Sequence, residues 1–309
     1  MSWRLYHKLM SVEIRVALLI GLFALGLVCR RAGWLKPAHA GFMLRLVINL
    51  GLPALFLADV SRIRLQPELL ALPASSLCIM VAIWGLALLL ARALRLDRTD
   101  RGTAIISGMS INNGFLFPFV IAVWGVPGFG QMALFDLGHV LGQSFLVYAI
   151  ATAYGGHVSG FGPILRRVLR FPPLWALLVA LLINGSGAAL PEWLVTVLHT
   201  VGQWILLLVI VALGVLFDAR LLRDRRVPAI VLLRMLAGEL LGLICVRVFG
   251  LTGLTRAVVL LGAAAPIGFN AVVLSDMEKL NRELAASAAS ISVVIGLVYA
   301  PLALWLLPR

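Results

Sequence analysis

Ten apolar windows, separated by charge, proline or glycine, leave this 309-residue chain little room for anything but helices in a bilayer. They run near 13–30, 39–60, 69–91, 102–124, 130–153, 172–187, 193–217, 227–249, 255–275 and 284–306. A helix crosses the hydrocarbon layer with roughly 20 apolar residues, so ten crossings consume most of the chain. The 62% apolar share exceeds what a water-soluble core absorbs, and no folded soluble domain fits in the remainder. The expected fold is therefore an all-α membrane protein of ten transmembrane helices. The first window ends in Cys29-Arg30-Arg31 without a small-residue cleavage site, and is read as a span, not a removed signal.

The net charge of +13 would raise the question of nucleic acid in a soluble protein. Here the basic residues sit in short clusters between apolar runs, the pattern that orients a membrane protein. Loops after the first, third, fifth, seventh and ninth windows hold sixteen: Arg30, Arg31, Lys36, Arg92, Arg95, Arg98, Arg101, Arg166, Arg167, Arg170, Arg220, Arg223, Arg225, Arg226, Lys279 and Arg282. The other side holds seven: Arg4, Lys8, Arg62, Arg64, Arg247, Arg256 and Arg309. The richer side faces the cytoplasm, so both termini are expected on the non-cytoplasmic side of a bacterial inner membrane. The excess of Arg over Lys and the Ala/Leu richness fit a GC-rich bacterial source.

Residues 154–171, glycine-rich and then basic, separate a first set of five windows (1–153) from a second (172–309). An odd number of spans per set makes the second enter from the opposite side, so two five-helix repeats must be inverted relative to each other. Gly108…Gly114-Phe115 and Gly262…Gly268-Phe269 repeat a G-x5-G-F pattern at an offset of 154 residues, in the fourth window of each half.

That pattern locates the candidate site. Asn112, Asn113 and Gly114 lie about ten residues into the fourth window, roughly 15 Å at helical rise, near the midplane. Pro266 lies similarly deep in the ninth. Proline removes a helix hydrogen bond and clashes with the preceding turn, so Pro118 and Pro266 are expected to mark breaks. Half-helix N-termini at such breaks present free N–H groups and positive dipole ends to an anion. The plainer alternative is that Gly and Pro only kink tightly packed helices.

Other polar residues inside the windows are functional candidates because burying them in lipid is costly. Asp136, His139 and Gln143 are spaced i, i+3, i+7 and share one helical face; a carboxylate and an imidazole so placed can relay protons, or form a structural polar seam. Glu239 lies deep in the eighth window, with Arg234 five residues before it and only loosely in reach. Arg45 and Asn49 share a face of the second window, where Arg45 is expected to extend to the cytoplasmic surface, and Pro53 one turn after Asn49 suggests a break. Cys29, Cys78 and Cys245 have no metal-ligand spacing, and no H-E-x-x-H, Walker A or C-x-x-C signature occurs. No enzymatic activity, cofactor or metal is expected.

Leu46-Val-Ile-Asn49-Leu-Gly-Leu-Pro53-Ala-Leu55, Asn112-Asn-Gly-Phe115…Pro118, Phe171-Pro172-Pro173, and Ala265-Pro266…Ser275 followed by Glu283-Leu-Ala-Ala-Ser-Ala together resemble the auxin efflux carrier family of bacterial permeases, over nearly the whole chain. The resemblance implies two inverted five-helix repeats forming a scaffold and a transport domain, with crossover helices four and nine broken at prolines. It implies transport of a small organic anion, such as a carboxylate, by elevator-like alternating access. It also implies crossover positions at Asn112, Asn113, Pro118, Pro266 and Asn270, with Asn49 and Asp136 as neighbours. The chain departs from the family pattern at Phe117, at Ala237-Gly238-Glu239 and at Trp204, where a small residue or proline is usual. Which of Asn112 and Asn113 contacts substrate stays open. The rival readings are a sodium symporter of the bile-acid type, sharing this architecture, and a non-transporting membrane receptor. Expected partners are the organic anion, the lipid bilayer and, in a homodimer, a second copy; nucleic acid is not among them.

Overall fold

Among the described residues the backbone is mostly helical, the way a chain meets its own polar groups in a bilayer. The structure, a computed structural model, describes residues 11–63, 66–156, 162, 165–166, 169–217 and 224–307. Of the loop charges counted above, Arg4, Lys8, Arg64, Arg167, Arg220, Arg223 and Arg309 lie outside the described residues, as does much of 154–171.

The helices are α1 (Val12–Arg31), α2 (Pro37–Leu46), α3 (Leu52–Asp59), α4 (Ala71–Ala93), α5 (Arg98–Met109), α6 (Asn113–Gly142) and α7 (Tyr148–Gly155). They continue with α8 (Pro172–Gly185), α9 (Glu192–Leu216), α10 (Val227–Leu232), α11 (Gly238–Val248), α12 (Gly253–Ala263), α13 (Asn270–Met277) and α14 (Arg282–Leu306). Single π-helical turns join α2 to α3 (Val47–Gly51), α6 to α7 (Gln143–Val147) and α10 to α11 (Leu233–Ala237). Among the described residues there is no β-strand, only one isolated bridge.

Among the described residues, seven runs are long and apolar enough to cross a membrane: Val12–Arg31, Pro37–Arg62, Pro67–Ala93, Asn113–Gly155, Glu192–Leu216, Val227–Val248 and Arg282–Leu306. Two shorter apolar helices, Pro172–Gly185 and Gly253–Ala263, add to them. The 43-residue run Asn113–Gly155 would be about 65 Å long if straight, twice the hydrocarbon thickness. Gly125, at φ 62° and ψ −154°, divides it with a conformation that only glycine adopts freely. Large apolar side chains such as Leu182, Val248 and Val298 are exposed, and Trp34, Trp193 and Trp305 stand exposed at or near helix ends, the disposition of a lipid-facing surface with interfacial aromatics. The chain is a multi-pass membrane protein.

Residues group into two compact units, each drawn from both halves of the sequence. Unit 1 comprises Met1–Gln66, Gly114–Ala133 and Phe171–Phe217; unit 2 comprises Pro67–Asn113, Leu134–Arg170 and Asp218–Arg309.

Unit 1 is packed by close backbone approach and by aromatic rings. A Cβ on Gly26 would strike the carbonyl of Val211, and one on Gly214 the carbonyl of Phe23, so α1 and α9 meet at glycines; small residues serve this purpose where lipid removes the hydrophobic drive for helix association. Phe56, Phe117 and Phe129 have ring centroids 5.1 to 6.1 Å apart. The Arg30 guanidinium donates to the carbonyls of Val215 (3.1 Å) and Phe217, capping the C-terminus of α9. Asp59, 2% exposed, pairs with His199 Nδ1 at 2.6 Å, and Gln203 bonds the other ring nitrogen at 2.7 Å. Asn184 donates to the carbonyls of Val60 and Ile63.

In unit 2, segments following the third, fifth, seventh and ninth windows meet at one end. Asp100 accepts from Arg226 and from the Asn281 side chain (2.7 Å). Asn281 N–H donates to the Thr103 hydroxyl, and Arg98 donates to the carbonyls of Ala153 and Tyr154. Asp97 caps α5, accepting from the Asp100 N–H and the Thr99 hydroxyl at 2.8 Å each. These bonds hold the Asp97 carboxyl below its ordinary value. The Arg226 guanidinium likewise holds Asp224 low.

Candidate functional site

Unit 2 contains both interruptions, at 110–112 and 264–269, and they lie against each other. The stretch α5 ends at Met109, Ser110 turns extended (φ −85°, ψ 123°), and a new helix begins at Asn113. The second interruption spans 264–269, between Ala263 and Asn270. The joints run antiparallel: Ile111 pairs with Ile267, Asn112 N–H donates to the Pro266 carbonyl (2.8 Å), and Gly268 N–H donates to the Ser110 carbonyl (3.1 Å). Ile267 N–H is met by the Ser292 hydroxyl at 2.9 Å. Backbone groups released by the missing helical turns thus find partners in protein, the condition for non-helical chain at membrane depth. A Cβ on Gly268 would press on the Ile111 carbonyl, so this approach needs glycine there. Both copies of the G-x5-G-F pattern straddle a joint.

One expectation needs correction. Pro118 does not mark a break: it is buried inside α6, five residues past its start. The helix stops at 110–112 because pairing with the second joint takes over the backbone groups there, and Pro118 costs α6 one internal bond without ending it. Pro266 does lie in a break.

The Asp136, His139 and Gln143 face is turned toward the first joint. The Asn113 side-chain amide donates to Asp136 at 2.6 Å, and the Ser110 hydroxyl to Gln143 at 2.9 Å. His139 is buried between these two contacts along the helix, with neither ring nitrogen bonded among the described residues. It lines a small cavity with Ser76, Met109, Ile111, Arg234 and Ala263.

Arg234 is the residue that spacing arguments missed. It is 1% exposed, and does not reach Glu239: Nη1 donates to the Gly108 carbonyl (3.2 Å) and Nη2 to the Ala263 carbonyl. Its Nε has no partner among the described residues. The π-turn Leu233–Ala237 carries it, and a Cβ on Gly238 would collide with the Ala263 carbonyl and with the guanidinium itself. Glu239, half-buried, accepts from the Tyr299 hydroxyl (3.0 Å), which also reaches the Leu260 carbonyl (3.2 Å).

The structure thus gathers Asn112, Asn113, Pro266, Asp136 and His139 around the paired joints. Asn112 is half-buried, Asn113 and Pro266 are buried, and Asn270 opens α13 with its side chain exposed. Gly114, Pro118 and Asn49 belong to unit 1, where Asn49 is exposed in the π-turn Val47–Gly51.

Lipid-facing helices, with two interrupted and mutually paired segments in unit 2, define the class: a multi-pass membrane protein. Residues 162–305 match the family model described as membrane transport protein. An uncharacterized transporter of Methanothermobacter thermautotrophicus is 28% identical over 298 residues, covering 94% of this chain and 97% of that protein. One from Methanocaldococcus jannaschii is 24% identical over 303 residues, with the same coverage. The chain is thus similar to that family over residues 162–305 and to both uncharacterized transporters over nearly its whole length.

Proposed function

We propose that this protein is a secondary transporter for a small organic anion such as a carboxylate. In this reading the ten windows are ten spans, arranged as inverted repeats (1–153 and 172–309) about a cytoplasmic linker (154–171). The fourth and ninth spans are the broken crossover helices. Alternating access is elevator-like, with the crossing-bearing unit 2 as the moving body. The observation that carries the reading is the antiparallel pairing of 110–112 with 266–268, which leaves the N-termini of α6 and α13 beside the joints.

Those N-termini bring positive dipole ends, and Asn112, Asn113 and Asn270 add neutral donors, a combination suited to a carboxylate. Asp136, His139 and Glu239 are the groups through which proton movement could couple to transport. The meeting of four loops around Asp100 and Arg98 supports a common side for them. With the charge count it favours a cell-membrane protein with both termini outside the cytoplasm. The chain acts as a carrier, without enzymatic chemistry, and a homodimer is compatible with it.

The test is uptake of radiolabelled malonate and a panel of monocarboxylates into proteoliposomes. We expect flux that Asn112→Ala or Pro266→Ala abolishes. Normal flux in both variants overturns the site; specific binding without translocation would make the protein a receptor.

A further inference from the structure

Arg234 is a full positive charge inside a span, and among the described residues no carboxylate pairs with it. Its partners are two backbone carbonyls, and both stand at the same structural place: Gly108 is the penultimate residue of α5, Ala263 the last of α12. Those helices end at the two joints. Each helix C-terminus carries about half a negative elementary charge, so the pair presents about one, and a single guanidinium balances it.

Broken-helix carriers that couple to sodium use half-helix C-terminal carbonyls to coordinate the ion. Here the same carbonyls already hold a cation, on a side chain that cannot leave. The absent Cβ at Gly238 gives it access, since any larger residue there would push against both the guanidinium and its acceptor.

We infer that Arg234 is a tethered counter-cation: it clasps the C-termini of the two interrupted helices where a sodium-coupled carrier would bind a dissociable ion, so the crossing assembles without sodium. This rests on reading the crossing as a carrier's binding site. Its consequence is a specificity that can be read without knowing the substrate: the wild-type protein is indifferent to sodium, and deleting the side chain opens a place for a small cation.

The experiment is thermal melting of the purified full-length protein in choline chloride, sodium chloride and methylguanidinium chloride at equal ionic strength. Wild type should melt at the same temperature in sodium and choline. Arg234→Ala should be stabilised by sodium or methylguanidinium over choline, by about 3 °C or more. Arg234→Met, whose side chain still fills the space, should show no such response. A sodium-specific rise in wild type, or an Arg234→Ala protein that melts cooperatively yet ignores every cation, overturns the inference. Should Arg234→Ala be recoverable only when purified in methylguanidinium, that recovery supports it; no recovery in any cation overturns it. Absence of carboxylate flux in wild type would sink the proposed function while leaving the melting comparison standing.

Discussion

Arg30 and Arg234 both cap helix C-termini, and they do so under different conditions. Arg30 in unit 1 reaches the last carbonyls of α9 from the end of α1, where its side chain is only part-buried. Arg234 in unit 2 serves two helix ends at once and is closed off from solvent. For Arg30 water is an alternative partner, so the bond adds little net stability. For Arg234 no alternative exists, and the same chemistry becomes a condition for the joints to form. Location, more than bonding partner, decides whether a cap is an ornament or a keystone.

That contrast can be broken by parallel substitution. Arg234→Met should cost about 2–5 kcal/mol, because it strands two buried carbonyls at about 1–3 kcal/mol each. Arg30→Met should cost about 1 kcal/mol, as for a cation removed from an exposed helix C-terminus. Denaturation of both variants in the same detergent gives the ratio, and equal losses would refute the distinction.

The contact of Asp59 with His199 sharpens the comparison, because Asp59 is met by a side chain and Arg234 by backbone. Asp59→Ala should cost about 3 kcal/mol by stranding His199 and Gln203, whereas Asp59→Leu with His199→Leu, which strands only Gln203, should recover about 1 kcal/mol or more of that loss. A double variant as unstable as the single would give the pair a role beyond satisfying each other's hydrogen bonds. No compensating substitution exists for Arg234, whose acceptors are main chain.

The smallest effect is expected at the exposed cap of α5. Asp97→Ala should cost about 1 kcal/mol. The folded carboxyl titrates below its unfolded value, so its contribution is fully present above the unfolded value of about 3.9. It is lost as pH falls through the lower, folded value. Melting curves taken from neutral pH downward should show wild type and variant converging at the acid end; a constant gap would contradict the assignment.

The sequence disclosed what helical periodicity carries. Asp136, His139 and Gln143 could be assigned to one face because i, i+3, i+7 spacing is local, and that face does turn to the first joint. The glycine pattern disclosed both interruptions, since a repeat at fixed offset survives without knowledge of packing. Pro118 misled because proline alone fixes neither where a helix yields nor whether neighbouring chain can take up the freed groups. Arg234 was legible only as a charge near Glu239: its acceptors are carbonyls, which every residue has, so no residue type marks them. Asp59 and His199 are 140 positions apart, and no local spacing connects them.

The pairing of Ser110 and Asn112 with Pro266 and Gly268 also sets a timetable. A ribosome adds about 5–20 residues each second, so roughly 8–30 s separate synthesis of the two partners. During that interval the first-made half resides in the membrane with one side of its joint unmatched, its free amide and carbonyl dependent on water or on an attendant protein. Insertion of this chain is complete only when its last third arrives to close the seam.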